Sequence, residues 1–287
     1  MVIFHGCNKP SGLEYTWPHE VSREGIRGQE YGKNPSLDQR HPFGRLIAGH
    51  GDYSPFWSQG VATRSHYLAT LITYTSGALL PCEHPEIIRD IPEAEFFKSV
   101  PVTWDETRVL PPSEFAMCAV FARRQSGSWF LALTNDKASR KVEVPLNFLG
   151  AGSWLAEIHA DIPEKPDFST SEQRVVQSKD VLTFDMLSYG GGTARFSKIG
   201  LNRYGGRLPS GEKIKVTTAD PNSKACYTLD GSEPTQASPR CPADGIAIDR
   251  PVRLRVKIVD GDGLGSELSY SYSVSEKTPA GGPGANN

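Results

Sequence analysis

Two carboxylates six residues apart are the strongest chemical signal in the sequence. Glu24 and Glu30 lie in the segment Arg-Glu-Gly-Ile-Arg-Gly-Gln-Glu-Tyr, residues 23–31. In a straight strand they would point to the same side but lie about 20 Å apart, too far to share a metal ion or a substrate. The two glycines between them permit a bend that would bring them together. The spacing alone leaves open an exposed loop in which both glutamates pair with neighbouring arginines.

A histidine and further acids follow short apolar runs. His5 comes directly after Val2–Phe4, a run typical of a buried parallel strand. Catalytic residues of barrels lie at such strand ends, although a single histidine is equally consistent with a structural role. Asp52 is either a ligand or a turn residue. For the acidic pair Asp105 and Glu106, a structural junction is the favoured interpretation.

The first 108 residues alternate between strand and helix patterns. Apolar spacing predicts a helix over residues 64–74, and residues 85–97 indicate a helix in two pieces broken at Pro92. Residues 77–80 form a second short apolar run. Buried strands alternating with helices are typical of parallel βαβ units. A (β/α)8 barrel needs about 250 residues, so residues 1–108 are predicted to be the C-terminal portion of a barrel.

The rest of the chain predicts β structure. Period-two alternation over residues 109–198 indicates an antiparallel β-sandwich, with a turn at the three glycines 190–192. Residues 199–212 are glycine-rich and predict a linker. Alternation over residues 213–274 predicts a small immunoglobulin-like β-sandwich, and residues 275–287 predict a disordered tail. The predicted fold class is therefore α/β plus all-β.

Composition excludes several classes of protein. The 287 residues carry a net charge of −2, with 31 basic and 33 acidic residues. This balance, without a long basic run, argues against a nucleic-acid partner. No stretch approaches the roughly 20 apolar residues of a membrane span, and residues 1–20 lack the pattern of a signal peptide. Among the five cysteines, Cys226 and Cys241 are either a disulfide or two ordinary thiols.

An ordered series of motifs in residues 1–197 resembles glycoside hydrolase family 97, which contains α-glucosidases and α-galactosidases. The motifs are His-Gly-Cys-Asn-Lys-Pro-Ser-Gly at residues 5–12, Trp-Pro at 17–18, and residues 23–31, 42–45, 48–49, 52–55, 83–85, 101–107 and 122–124. The resemblance implies an N-terminal β-sandwich, a (β/α)8 barrel and a C-terminal β-sandwich. By that comparison the chain begins near barrel strand six, and the missing N-terminal part is a candidate partner.

The resemblance also implies roles for single residues. Glu30 matches the general acid, and Glu24 matches a calcium-binding glutamate, with Glu30 as a second calcium ligand; oxygen ligands suit Ca2+. His5 matches a residue near the sugar. Gly6 stands where inverting members carry a glutamate base, so the chain resembles the retaining branch. The nucleophilic aspartate of that branch lies upstream in the family, in the part this chain lacks.

Two segments qualify the resemblance. Residues 37–45 read Leu-Asp-Gln-Arg-His-Pro-Phe-Gly-Arg where the family has a segment rich in His and Thr, which leaves the choice of sugar open. Residues 225–235 resemble the Tyr-Thr-Leu-Asp-Gly-Ser-x-Pro signature of chitobiase/hexosaminidase C-terminal modules. The tight-turn dipeptide Asp230-Gly231 alone accounts for much of that signature.

The expected function is a calcium-dependent, retaining α-galactosidase or α-glucosidase acting on an oligosaccharide or α-glycoside. The chain is expected to be an incomplete fragment without the nucleophile. The resemblance implies a periplasmic or secreted location for the intact protein. The alternative is a non-enzymatic carbohydrate-binding or surface-interaction protein built from the two β-sandwiches.

Overall fold

The computed structural model of the chain describes residues 1–28, 35–55, 60–81, 83–209, 211–259 and 266–275. The chain divides into unit 1, residues 1–197, and unit 2, residues 198–287. The helices of unit 1 are α1 (Arg64–Thr73), α2 (Pro85–Asp90) and α3 (Ala94–Ser99). Its strands are β1 (Val2–Phe4), β2 (Glu20–Arg23), β3 (Glu106–Val109), β4 (Cys118–Gln125), β5 (Ser128–Asn135), β6 (Arg140–Pro145), β7 (Trp154–Ala160), β8 (Glu172–Val176), β9 (Val181–Met186) and β10 (Gly191–Ser197).

The N-terminal strands of unit 1 run parallel. β1 pairs with β2, and Arg23 at the end of β2 forms a parallel bridge with Gly51. The predicted parallel strand at residues 2–4 is therefore confirmed, but its predicted burial is wrong, since Val2 is 37% and Phe4 39% exposed. Among the described residues β1 pairs with β2 alone. Membership of a barrel stays a prediction.

The second apolar run does not form a strand. In the turn at residues 76–78, the Ser76 hydroxyl donates to the Ala78 carbonyl at 2.9 Å and accepts from the Ala78 amide at 3.3 Å. These local bonds take the place of a ladder between strands. A short apolar run was consistent with a strand, but the pattern could not reveal the competing serine contacts.

The helices follow the predicted spacing. α1 matches the pattern at residues 64–74, and the Thr63 side chain caps it by accepting from the His66 amide. The helical segment at residues 85–97 is broken as predicted, into α2 and α3, with Pro92 between them. Proline lacks the amide hydrogen that would continue a helix.

The sandwich of unit 1 pairs a large sheet with a small one. The antiparallel large sheet has the strand order β3-β4-β5-β10-β7-β8, and β6 pairs with β9. Alternate residues of the large sheet pack into a core with the small one, including Leu131, Leu133 and Phe196 against Val144 and Phe184. The opposite face packs against α1 and α3. The predicted antiparallel β-sandwich is confirmed.

Glycines 191 and 192 correct the predicted turn, because both lie in β10. A Cβ on Gly191 would lie 2.7 Å from the His66 Cα atom of α1. A Cβ on Gly192 would lie 2.3 Å from Phe184 of the small sheet. Since successive strand residues face opposite sides, one glycine makes room for the helix and the next for the other sheet. Only residue 190 belongs to the turn.

Unit 2 is built from β strands. They are β11 (Ile199–Leu201), β12 (Gly206–Leu208), β13 (Lys213–Ile214), β14 (Val216–Thr218), β15 (Ala225–Thr228), β16 (Ile246–Ala247), β17 (Val252–Ile258) and β18 (Glu267–Val274). A four-stranded sheet has the order β12-β18-β17-β15, beside the pairs β11-β14 and β13-β16. Residues 199–212 are thus not simply a linker, since β11 and β12 pair within this unit. An immunoglobulin-like topology stays a prediction.

The core of unit 2 follows the predicted alternation along β17. Leu254, Val256 and Ile258 are buried, whereas the residues between them are more exposed. Cys226 and Cys241 are free thiols, so of the two alternatives the structure has two thiols. The predicted tail from residue 276 onwards lies outside the described residues. No helix in the described part of the chain is long and apolar enough to cross a membrane.

Gly191→Ala should destabilise unit 1 by about 2 kcal/mol, because the added Cβ must displace backbone atoms of α1 or β5. Gly150→Ala is the matched control: its Cβ would make an ordinary 3.8 Å contact with Trp154, and we expect a change within about 0.5 kcal/mol. Urea unfolding followed by tryptophan fluorescence measures both, since every tryptophan lies in unit 1. Equal stability of the two variants would contradict the close approach of helix and strand.

Candidate functional site

The ends of neighbouring parallel segments bring a histidine and two acids together. His5 follows β1, Glu24 follows β2, and Asp52 follows Gly51, the residue that bridges to β2. The His5 Nδ1 atom lies 3.1 Å from Oδ2 of Asp52 and 3.8 Å from Oε2 of Glu24. We call these residues the strand-end cluster.

The members of the strand-end cluster differ in exposure. Glu24 and Asp52 are buried, each 8% exposed, whereas 66% of the His5 side chain is exposed. The Gly6 amide donates to Oε2 of Glu24, which holds that carboxylate in place. The cluster thus presents an imidazole to solvent above two fixed carboxylates. Such a group can hydrogen-bond sugar hydroxyls or exchange a proton.

Backbone contacts set the positions of both acids. The Glu24 amide donates to the Phe4 carbonyl at 2.8 Å, and the Asp52 amide donates to the Arg23 carbonyl at 3.0 Å. Gly25 then turns the chain in a left-handed conformation, with φ of 38°. A Cβ there would lie 2.3 Å from the Lys9 nitrogen, so glycine is required. The predicted bend after Glu24 therefore exists.

Glu30 lies outside the described residues. Whether the bend brings Glu30 to Glu24 stays a prediction, and so does the calcium site that the two would share. Oxygen donors such as Glu24 and Asp52 suit Ca2+. Within the residues that the structure describes, however, no group of three or more His, Cys, Asp or Glu side chains is arranged to hold a metal ion.

Arg45 joins the segments that carry the two acids. Its guanidinium donates at 2.8–3.3 Å to the carbonyl oxygens of Arg23, Glu24, Gly25, Gly49 and His50. Partial burial lowers the pKa of Arg45. Sequence reasoning noted Arg45 only as part of a motif, because a side chain that binds distant carbonyls has no local signature.

A buried carboxylate lies behind the cluster. Asp38 is fully buried and accepts hydrogen bonds from His66 Nε2 at 2.9 Å and from the hydroxyls of Tyr74 at 2.5 Å and Tyr53 at 3.2 Å. Burial and then the charge of Asp38 raise the pKa of Tyr74. His66 Nδ1 lies 3.0 Å from the Gly190 carbonyl, so both ring nitrogens face acceptors. We call Asp38, His66, Tyr53 and Tyr74 the Asp38 anchor.

The Asp38 anchor explains part of the segment in which the sequence departs from family 97. Residues 37–45 left the sugar pocket in question, and within them the Asp38 carboxylate binds Tyr53, His66 and Tyr74. It lies among side chains 15 to 36 residues away in the sequence. Sequence reasoning missed this role because none of those partners is local.

Other candidate features lie apart from the strand-end cluster. Asp105 accepts from the Ser126 amide at 2.6 Å, and Glu106 bonds to Arg108 and Arg124, which confirms a structural junction. A cavity of about 250 Å³ lies beside β2, lined partly by Tyr15. None of the cluster side chains lines that cavity.

Two family models match the part of the chain after the parallel strand ends. Residues 103–197 match the family model described as "Glycosyl-hydrolase 97 C-terminal, oligomerisation", and residues 204–270 match that of the chitobiase/β-hexosaminidase C-terminal domain. Both resemblances are therefore confirmed.

Similar proteins are much longer than this chain. It is 34% identical over 200 residues to a "Probable retaining alpha-galactosidase" of Streptomyces bingchenggensis, covering 67% of this chain and 30% of that protein. It is 31% identical over 180 residues to a "Retaining alpha-galactosidase" of Bacteroides thetaiotaomicron, covering 55% and 27%. A family 97 enzyme from Pseudoalteromonas sp. strain K8, solved with acarbose, matches with a TM-score of 0.62 and 27% identity over 68% of this chain and 34% of that one. The chain spans about a third of the length of these relatives.

Arg45→Lys should loosen the segments that carry Glu24 and Asp52, because an ammonium cannot span the carbonyls that a guanidinium joins. Hydrogen exchange by mass spectrometry should show the amides of residues 23–25 and 49–52 exchanging on the order of tenfold faster, a local loss of about 1.4 kcal/mol. Arg40→Lys is the control, since Arg40 donates to the neighbouring Ser36 carbonyl. Unchanged exchange in Arg45→Lys would contradict the role of Arg45.

Proposed function

We propose that this chain belongs to a retaining glycoside hydrolase of the α-galactosidase or α-glucosidase type. The observation that supports it best is the meeting of His5, Glu24 and Asp52 at adjacent parallel strand ends. The similarity to two retaining α-galactosidases supports the same class. The substrate in this proposal is an oligosaccharide or α-glycoside, met in the periplasm or outside the cell.

In the proposed mechanism, Glu30 works as general acid and then as general base. A retaining enzyme first protonates the leaving oxygen while a second carboxylate attacks the sugar. Water then hydrolyses the glycosyl-enzyme, with the same acid acting as base. His5, exposed and held by Asp52, hydrogen-bonds the bound sugar. The nucleophile is not assigned to any of these 287 residues.

The proposal includes a calcium ion held by Glu24 and Glu30. When bound, the ion offsets the negative charge of the carboxylates and fixes the position of the acid. Glu24 suits this role because it is buried and its Oε2 atom is oriented by the Gly6 amide.

Glu30→Gln should slow hydrolysis most for substrates with poor leaving groups. An alkyl α-galactoside needs protonation of its leaving oxygen, and we expect a loss of about 10²–10⁴-fold, as for removal of a general acid. A 4-nitrophenyl α-galactoside or α-glucoside leaves readily and should lose less in its glycosylation step. Initial rates of both substrates, measured with the proposed hydrolase that contains this chain and with its Glu30→Gln variant, test this.

Equal losses on both substrates would contradict the acid role of Glu30. No turnover by the soluble, folded chain would contradict hydrolysis by these 287 residues alone. Sugar binding without catalysis would then be the function to test, by titrating the chain with the same oligosaccharides.

Glu24→Ala should weaken Ca2+ binding by at least about tenfold, or 1.4 kcal/mol, through loss of a charged oxygen ligand. Isothermal titration with Ca2+ measures this without any need for turnover. Glu143→Ala is the control, because Glu143 is exposed on β6 of the sandwich. Equal affinity of the two variants, or absence of Ca2+ binding by the unmodified chain, would reject the calcium site.

A further inference from the structure

Adjacent residues connect the strand-end cluster to the Asp38 anchor. Asp52 and Tyr53 follow Gly51, the residue that bridges to β2, and their side chains bind different partners. The Asp52 carboxylate faces His5, with Nδ1 at 3.1 Å. The Tyr53 side chain is fully buried, and its hydroxyl donates to Asp38.

The Asp38 anchor leaves Tyr53 little freedom. A buried carboxylate is costly unless it is hydrogen-bonded, so Asp38 favours arrangements in which the Tyr53 hydroxyl reaches it. The Tyr53 ring also stacks on Tyr74, with centroids 3.8 Å apart and planes 22° apart. Tyr74 follows α1 directly, and His66 lies within α1. The position of Tyr53 is therefore set by the packed body of unit 1.

We propose that Asp38 is a positioning residue for the candidate site. Through the Tyr53 hydroxyl it fixes the backbone at residues 52 and 53, and so holds Asp52 against His5. The link from Asp38 to His5 stands on these contacts, and only its consequence for hydrolysis rests on the proposed function.

Two conservative variants separate this role from packing. Tyr53→Phe keeps the stacked ring and removes the hydroxyl that reaches Asp38. Asp38→Asn keeps the shape of the side chain and removes its charge. Either change releases the segment at residues 52–53, and His5 should then spend less time against Asp52.

The experiment measures the reactivity of His5 in the full chain. Diethyl pyrocarbonate acylates histidines, and mass spectrometry gives the rate at His5 relative to the exposed His84. Asp52→Asn provides the reference for loss of the carboxylate partner. We expect Tyr53→Phe and Asp38→Asn each to change the relative rate at least twofold, in the same direction as Asp52→Asn.

Double variants test whether Asp38 and Tyr53 act on His5 through Asp52. When Asp52 is already Asn, adding Tyr53→Phe or Asp38→Asn should change the His5 rate no further, because their effect passes through Asp52. Val144→Ala controls for destabilisation: it opens a cavity in the sandwich core, on the face of the large sheet opposite α1, and should leave the His5 rate unchanged.

The outcomes are distinct. The proposal is overturned if the His5 rate does not change in Asp52→Asn or in Tyr53→Phe. It is also overturned if Tyr53→Phe changes the rate equally in the unmodified chain and in the Asp52→Asn variant. The measurement needs neither sugar nor calcium, so it is independent of hydrolysis. A His5 response without turnover would support the positioning role and contradict only hydrolysis by these residues alone, whereas turnover without a His5 response would overturn the positioning role and support the proposed function.

Discussion

Helix α1 is buried along residues 65–73. The rest of unit 1 depends on providing hydrogen-bond partners for the polar groups of this helix. A ten-residue helix is marginal alone in water, so its stability comes from packing. Its ends need partners inside the protein. Thr63 caps the N-terminus, and Arg123 of β4 donates to the carbonyls of Thr73 and Tyr74 at the C-terminus, at 3.1 Å each. Burial lowers the pKa of Arg123 to about 10, while the negative end of the helix dipole favours its charge.

The same burial explains why the sheet face beneath α1 carries polar groups. The Thr63 hydroxyl donates to Asp161 at 2.5 Å, and Asp161 also accepts from two backbone amides, one of them that of Gly191. Burial raises the pKa of Asp161, and these hydrogen bonds oppose the shift. His66 extends the network by joining the Gly190 carbonyl to Asp38. The parallel strands and the sandwich are thereby joined through α1, and the candidate site is fixed to the larger body.

Much of this fold could be predicted from the spacing of apolar residues, because α1 and the sandwich strands bury residues at helical and alternating spacing respectively. The wrong predictions concern which other parts of the fold pack against a given segment. The run at residues 2–4 has the composition of a buried strand, yet nothing in the pattern shows that Val2 and Phe4 face solvent. Gly191 and Gly192 have the composition of a turn, but their role follows from a helix and a sheet that approach from opposite sides. A local sequence pattern indicates which secondary structure a segment favours, whereas residues distant in the sequence decide which of its faces are buried.

The candidate site shows the same division. His5 and Glu24 could be predicted because strand ends and nearby glycines are local signals, and Asp52 stayed ambiguous because a turn aspartate has the same pattern. Asp38 and Arg45 could not be assigned, since one binds side chains across the fold and the other binds backbone carbonyls. Arg45 binds the backbone carbonyl of Glu24, and Asp38 binds the hydroxyl of Tyr53, the residue next to Asp52. Residues with reactive side chains, such as His5 and Glu24, can therefore be found in a local motif. Residues that position them, such as Asp38 and Arg45, cannot, because their partners are distant in the sequence.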